Sequence, residues 1–133
     1  MMTTFQFLRD ARVDFIQYLG LDGITQTCLK AVKRLIQFGD RIESATILTA
    51  DDWHALILMI PTEGLIAIKS GFRSGYNGEG PKALSQVLSL LHAYGVEIEE
   101  RIVPIRLIKR LNVGALTEKD LELIKKSPEY RPI

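Results

Sequence analysis

WHALILMI, residues 53–60, is apolar at nearly every position, and its reading decides the fold. A strand with one wet face alternates apolar and polar residues, whereas a run that is apolar on both parities belongs to a central strand covered on both sides. The run is strand-sized and far short of the roughly 20 apolar residues a membrane span needs. Just upstream, 43–49 holds Thr46, Ile47 and Thr49 and reads as a second strand, separated from the first by the turn Ala50-Asp51-Asp52. Asp is favoured in such turns for backbone reasons. Just downstream, Pro61-Thr62-Glu63-Gly64 reads as another turn, and LIAIK at 65–69 as a third strand. Three strands on short connections predict an antiparallel meander.

Before the meander the period turns helical. Phe5, Leu8, Phe15, Ile16 and Leu19 fall at near-helical spacing, which predicts a helix over 4–19, capped by Thr3 or Thr4 and stopped by Gly20. Cys28, Leu29, Val32 and Ile36 form the apolar stripe of a second helix over 24–38, with Lys30, Lys33, Arg34 and Gln37 on its wet face. The short link Leu21-Asp22-Gly23 predicts a helical hairpin. After the meander, SGFRSGYNGEG at 70–80 reads as a loop. Pro81 then opens a helix over 81–94, with Ala83, Leu84, Val87, Leu88, Leu91 and Tyr94 on one face and Gly95 as its stop. VEIEERIV at 96–103 largely alternates and predicts a half-exposed strand. Residues 65–103 have the length of a βαβ crossover, which can set this last strand parallel to the third. Pro104 opens a helix over 105–111, and Thr117 caps one over 118–126. The ending EYRPI is expected to be loosely held. The expected fold is one α+β domain over 1–133: an N-terminal helical hairpin, a three-stranded antiparallel meander, a helix and fourth strand joining the sheet, and short C-terminal helices.

The bulk numbers agree with an ordinary globular domain. Apolar residues make up 47% of the chain and charged residues 25%. With 17 basic and 16 acidic residues the net charge is +1, so the excess of positive charge typical of a nucleic-acid binder is missing. The single cysteine, Cys28, allows no intramolecular disulfide and points to a reducing compartment. MMTTFQFLRDARVDF carries charges within its first dozen residues and does not read as a signal peptide. A cytoplasmic location is expected.

No catalytic constellation is legible. The candidate bases are His54, in an apolar strand, and His92, in the last turn of a helix, and both read as structural. No G-x-S-x-G elbow occurs. Two histidines and one cysteine, widely spaced, predict no metal site, and no cofactor motif is present. The Asp51-Asp52 pair reads as turn chemistry. Glu97, Glu99 and Glu100 read as the wet side of the fourth strand, and Arg101, Arg106, Lys109 and Arg110 as solvated surface.

The glycine-rich loop stands out. Gly75, Gly78 and Gly80 flank Tyr76, Asn77 and Glu79, in a pattern that is neither a P-loop nor G-x-G-x-x-G. In the functional reading, a strand delivers the chain to a loop that runs into a helix start. Arg73 and Lys82 then supply charge, Tyr76 and Asn77 amphipathic and polar contact, and Glu79 a partner for a basic group. In the architectural reading the glycines only supply positive φ.

The S-G-Y-x-G-E-G-P-x-x-L pattern carried by Ser74, Gly75, Tyr76, Gly78, Glu79, Gly80, Pro81 and Leu84 is followed by G-V-E-I-x-E at Gly95, Val96, Glu97, Ile98 and Glu100. Together they resemble a motif of small uncharacterised bacterial proteins, over about a quarter of the chain. In size and α+β character the chain is also similar to immunity proteins encoded beside bacterial toxins. That resemblance implies a non-enzymatic protein that binds and blocks a toxin domain. The near-neutral charge departs from what inhibitors of basic nucleases often show. The expected partner-binding residues are Arg73, Tyr76, Asn77, Glu79 and Lys82. The alternative is a small anionic-ligand or nucleotide-binding domain using the loop and the helix start at Pro81. A third reading is a homo-oligomer joined through an exposed sheet edge.

Overall fold

The computed structural model describes residues 15–39, 41–61, 63–75 and 78–130. Among them the chain order is β1 (Gln17–Leu19), α1 (Thr25–Gln37), β2 (Ser44–Ala50), β3 (Trp53–Ile60), β4 (Gly64–Arg73), α2 (Glu79–Ala93), β5 (Glu97–Ile102), α3 (Ile105–Asn112), α4 (Glu118–Lys126) and β6 (Glu129–Tyr130). The strands form one sheet in the order β1-β4-β3-β2-β5-β6.

The run at 53–60 is the central strand its composition requires. Leu56, Leu58 and Ile60 point into one core, and Ala55, Ile57 and Met59 into another. The first core is closed by Cys28, Leu29 and Val32 of α1 and by Ala83, Val87 and Leu91 of α2. The second is closed by Leu107, Ile108 and Leu111 of α3 and by Leu121 and Ile124 of α4. Among the described residues the protein is therefore an α+β sandwich of three layers, with two helices on each face of the sheet.

The expected fold class needs correcting at its N-terminal end and in its sheet. The helix expected over 4–19 falls partly on residues 4–14, outside the described residues. Where the chain is described, Gln17–Leu19 is a strand paired in parallel with β4, in the register Gln17↔Ile66, Tyr18↔Ala67 and Leu19↔Ile68. Among the described residues there is thus no helical hairpin. Ile16 and Tyr18 pack into one core and Leu19 into the other. This alternation has period two, and the hydrogen bonds of a sheet edge reward it more than local helix propensity does. Gly20, at φ +84°, turns the chain out of β1 rather than ending a helix.

The sheet is mixed. β2–β3 and β3–β4 pair antiparallel, but β1 adds in parallel beside β4 and β5 in parallel beside β2. β5 thus runs in the direction of β4 yet is separated from it by two strands, β3 and β2. β6 pairs antiparallel with β5 (Glu100↔Tyr130, Arg101↔Glu129), so Glu129 and Tyr130 are tied down rather than loose.

β4 also continues to Arg73, past the expected end at 69. Gly71 makes this extension compatible with α1. A Cβ there would stand 2.6 Å from the Cys28 Sγ and 2.9 Å from the Ile24 carbonyl oxygen. The bare backbone lets α1 lie directly on the strand, with Thr25 Oγ1 donating to the Gly71 carbonyl at 2.7 Å. At the C-terminal side, α4 starts with a capping box. Thr117 Oγ1 accepts from the Asp120 N–H at 3.1 Å, and Asp120 accepts from the Thr117 N–H at 3.0 Å.

Candidate functional site

β1, β2, β4 and β5 all run in one direction, so their carboxyl ends share one rim of the sheet. In open α/β sheets ligands gather at such rims. Here the rim carries a line of polar side chains. The two-residue turn Asp51-Asp52 pairs Thr49 with His54 directly across the β2–β3 hairpin. β5 brings Glu100 alongside, and the end of β4 brings Ser74.

The hydrogen bonds define a direction. Thr49 Oγ1 donates its one proton to Glu100 Oε2 at 2.5 Å. It must then be the acceptor in its 2.9 Å contact with His54 Nδ1, so the imidazole proton sits on Nδ1. His54 Nε2 is left with a lone pair, and Ser74 Oγ donates to it at 2.6 Å. The relay runs Ser74→His54→Thr49→Glu100. His54 is 4% exposed. Burial pushes its imidazole below the ordinary value of 6.5, while the charges of Glu100 and Asp52 push back more weakly.

A second cluster braces the same rim. Arg73 Nη2 bonds Asp52 Oδ2 at 2.7 Å, and its guanidinium lies 3.8 Å above the Trp53 ring. The Arg73 hydrogen bond holds the Asp52 carboxyl below the ordinary carboxylate range. The Ser74 N–H donates to the Asp52 carbonyl at 3.0 Å. The root of the glycine-rich loop is thereby fixed from two sides.

The expected partner-binding residues separate into three groups. Arg73 is held within the fold by Asp52 and Trp53. Glu79 and Lys82 are exposed in the first turn of α2. Tyr76 and Asn77 lie outside the described residues. The helix begins at Glu79, two residues before Pro81, and this first turn is poorly suited to an anion. Pro81 has no N–H, the Lys82 N–H donates to the Gly78 carbonyl at 3.2 Å, and the Glu79 carboxylate already answers the dipole.

The readings of the β5 and C-terminal charges change. Glu99 and Glu100 are half-buried and point to opposite faces of the sheet. Glu99 accepts from Thr46 at 3.3 Å and from Arg101 at 3.2 Å. Arg101 is buried and donates to the Ser127 carbonyl at 2.9 Å. Arg110 forms a two-pronged ion pair with Asp120. Cys28 is fully buried, its one thiol proton shared between the Leu21 and Lys69 carbonyls, each 3.2 Å from Sγ, and burial raises its pKa away from the reactive thiolate. Among the described residues, no three His, Cys, Asp or Glu side chains converge as metal ligands, and no helix is long and apolar enough to cross a membrane.

Two openings lie away from the relay. One cavity of about 510 Å³ sits at the opposite rim, between Ile36, Ile42, Glu43, Tyr94 and Glu97. A groove of about 500 Å³ runs between β1 and α1, past Leu19, Leu21, Leu35 and Phe38.

Among solved structures, a chain of the respiratory complex I from Thermus thermophilus has the same fold. It is 20% identical and superposes with a TM-score of 0.65 over 86% of this chain and 95% of that one. At that identity the likeness concerns the fold alone. Neither the protein-family models nor the curated proteins give a match.

Proposed function

We propose that this chain is a protein-binding module that meets its partner at the carboxyl-end rim, and that it serves in the cytoplasm as an immunity protein neutralising a bacterial toxin domain. One observation carries the binding reading. Leu21 and Ile24 are 53% and 49% exposed, and they stand at the same rim as the loop, because the Gly23 N–H donates to the Ser70 carbonyl at 2.9 Å. Exposed apolar side chains with charged neighbours on a well-filled domain mark contact surfaces. Asp22, exposed between them in sequence, supplies such a charge, and Glu79 and Lys82 are exposed at the start of α2. At the same rim, the braced groups Asp52–Arg73–Trp53 and His54–Ser74 lower the entropy lost on binding. The solved structure sharing this fold comes from a respiratory complex, which is compatible with a fold that lives among protein partners. The small-anion alternative draws less support, since the first turn of α2 offers few free donors and already carries a carboxylate.

The test is capture from the native host with the tagged chain, alongside a Leu21→Asp variant and a Tyr76→Ala/Glu79→Ala variant. A stoichiometric partner that both variants lose, at unchanged melting temperature, supports the binding reading. If that partner arrests growth when expressed alone and this chain relieves the arrest, the immunity reading stands. A partner held equally by wild type and variants moves the interface elsewhere. No partner at all, with a monodisperse monomer in sedimentation, removes the reading.

A further inference from the structure

We propose that Ser74 is a nucleophile able to accept an acyl group from small activated esters, with His54 as its general base and with Thr49 and Glu100 as positioning residues. This goes beyond the binding role and does not depend on it. Covalent catalysis by serine requires a base within hydrogen-bond reach and a third group that fixes the base's tautomer. All three are present. The 2.6 Å contact puts the Ser74 hydroxyl on His54 Nε2, and the proton order from Glu100 through Thr49 leaves that nitrogen as acceptor. A threonine thus stands where a carboxylate more often meets the imidazole, with the carboxylate one bond further on. Ser74 is only partly covered, whereas His54 is buried, so the nucleophile can be reached while its base stays dry. The chain passes from the end of β4 through Ser74 toward the N-terminus of α2, a placement at a strand-to-helix connection on the carboxyl-end rim.

The step balances without a further reactant. Ser74 Oγ bonds to the carbonyl carbon of the ester as its proton moves to His54 Nε2. The bond from that carbon to the alkoxy oxygen then breaks, and the imidazolium returns the proton to the departing oxygen. Acyl-Ser74 remains. Water reverses the sequence, giving its proton to His54 and releasing the free acid and the Ser74 hydroxyl.

The experiment uses the full chain with p-nitrophenyl acetate, following nitrophenolate release and locating the acetyl group by peptide mass spectrometry. The expected result is a stoichiometric burst with the acetyl on Ser74, absent in Ser74→Ala. The burst slows about a hundredfold or more in His54→Gln. In Thr49→Val the rate falls less and its pH profile shifts, which a merely structural contact would not cause. Circular dichroism melts establish that each variant is folded. Should Ser74→Ala or His54→Gln not fold, Ser74→Cys is compared with and without Thr49→Val for its rate of alkylation by iodoacetamide, expected to fall with the Thr49 replacement. Acetyl groups found only on lysines, or Ser74 acetylated equally fast in folded His54→Gln, or Ser74→Cys alkylated at the same rate in both backgrounds, would overturn the proposal.

Discussion

Acidifying the protein through the range where imidazole ordinarily titrates should destabilise it through His54. In the folded chain burial keeps this imidazole neutral below its ordinary value of 6.5. The unfolded chain therefore takes up a proton first as pH falls, and the unfolded state gains. The contribution is fully present above pH 6.5 and is lost as pH falls from there toward the folded value. Over that window one extra proton on the unfolded chain gives a slope approaching about 1.4 kcal/mol per pH unit. For a domain of this size that is a fall of about 5 °C in Tm per unit. The window lies above the range of carboxylates such as Asp52 and Asp120, which are held low by their partners. The assay is urea unfolding at a series of pH values from about 7.5 to about 5.5, with ΔG taken from the midpoint and slope. His54→Gln starts less stable, because Thr49 and Ser74 lose an aromatic partner, but its curve should be flatter across this range. A flat wild-type curve, or an equal slope in His54→Gln, would refute the reasoning.

Two further substitutions probe the frame around the site. Gly71→Ala should cost about 1–3 kcal/mol, because its methyl meets the Cys28 Sγ and the Ile24 carbonyl. Adding Cys28→Ala should restore only part of the loss, since the carbonyl remains; thermal melts of the three variants decide it. Asp120→Asn should cost about 1–3 kcal/mol, more than the roughly 1 kcal/mol of Thr117→Ala. Asp120 is 2% exposed and serves both Arg110 and the helix cap. Urea titrations of the singles and the double should show a cost below the sum, because the two residues share one cap.

Much of the frame was legible because it follows from local pattern. The unbroken run Trp53–Ile60 asks for cover on both faces and receives it, and α4 begins and ends where Thr117 and Ser127 set it. β1 was not legible. Its three residues become a strand only by pairing with Ile66–Ile68, far along the chain, and the same apolar positions satisfy a helical period just as well. The relay was half legible. A two-residue turn at Asp51-Asp52 already places Thr49 opposite His54, so a polar partner for the histidine could have been read directly. Ser74 and Glu100 could not, because their approach depends on β4 running on to Arg73 and on β5 lying beside β2 rather than β4. For the expected interface, Glu79 and Lys82 are on the surface as their charge suggests, while Arg73 was claimed by Asp52 and Trp53, an engagement that spacing alone does not reveal.

The strand order has a mechanical consequence. β1 and β6 occupy opposite margins of the sheet, so tension applied between Gln17 and Tyr130 pulls across its width. Such a load peels the margins one bond at a time rather than shearing long strands past each other. The two shortest strands give way first, at low force, while β2, β3 and β4 keep their pairing. A partner gripping either margin would thus act as a clamp on the extensible part of the molecule and leave the central sheet, with His54 in it, unstrained.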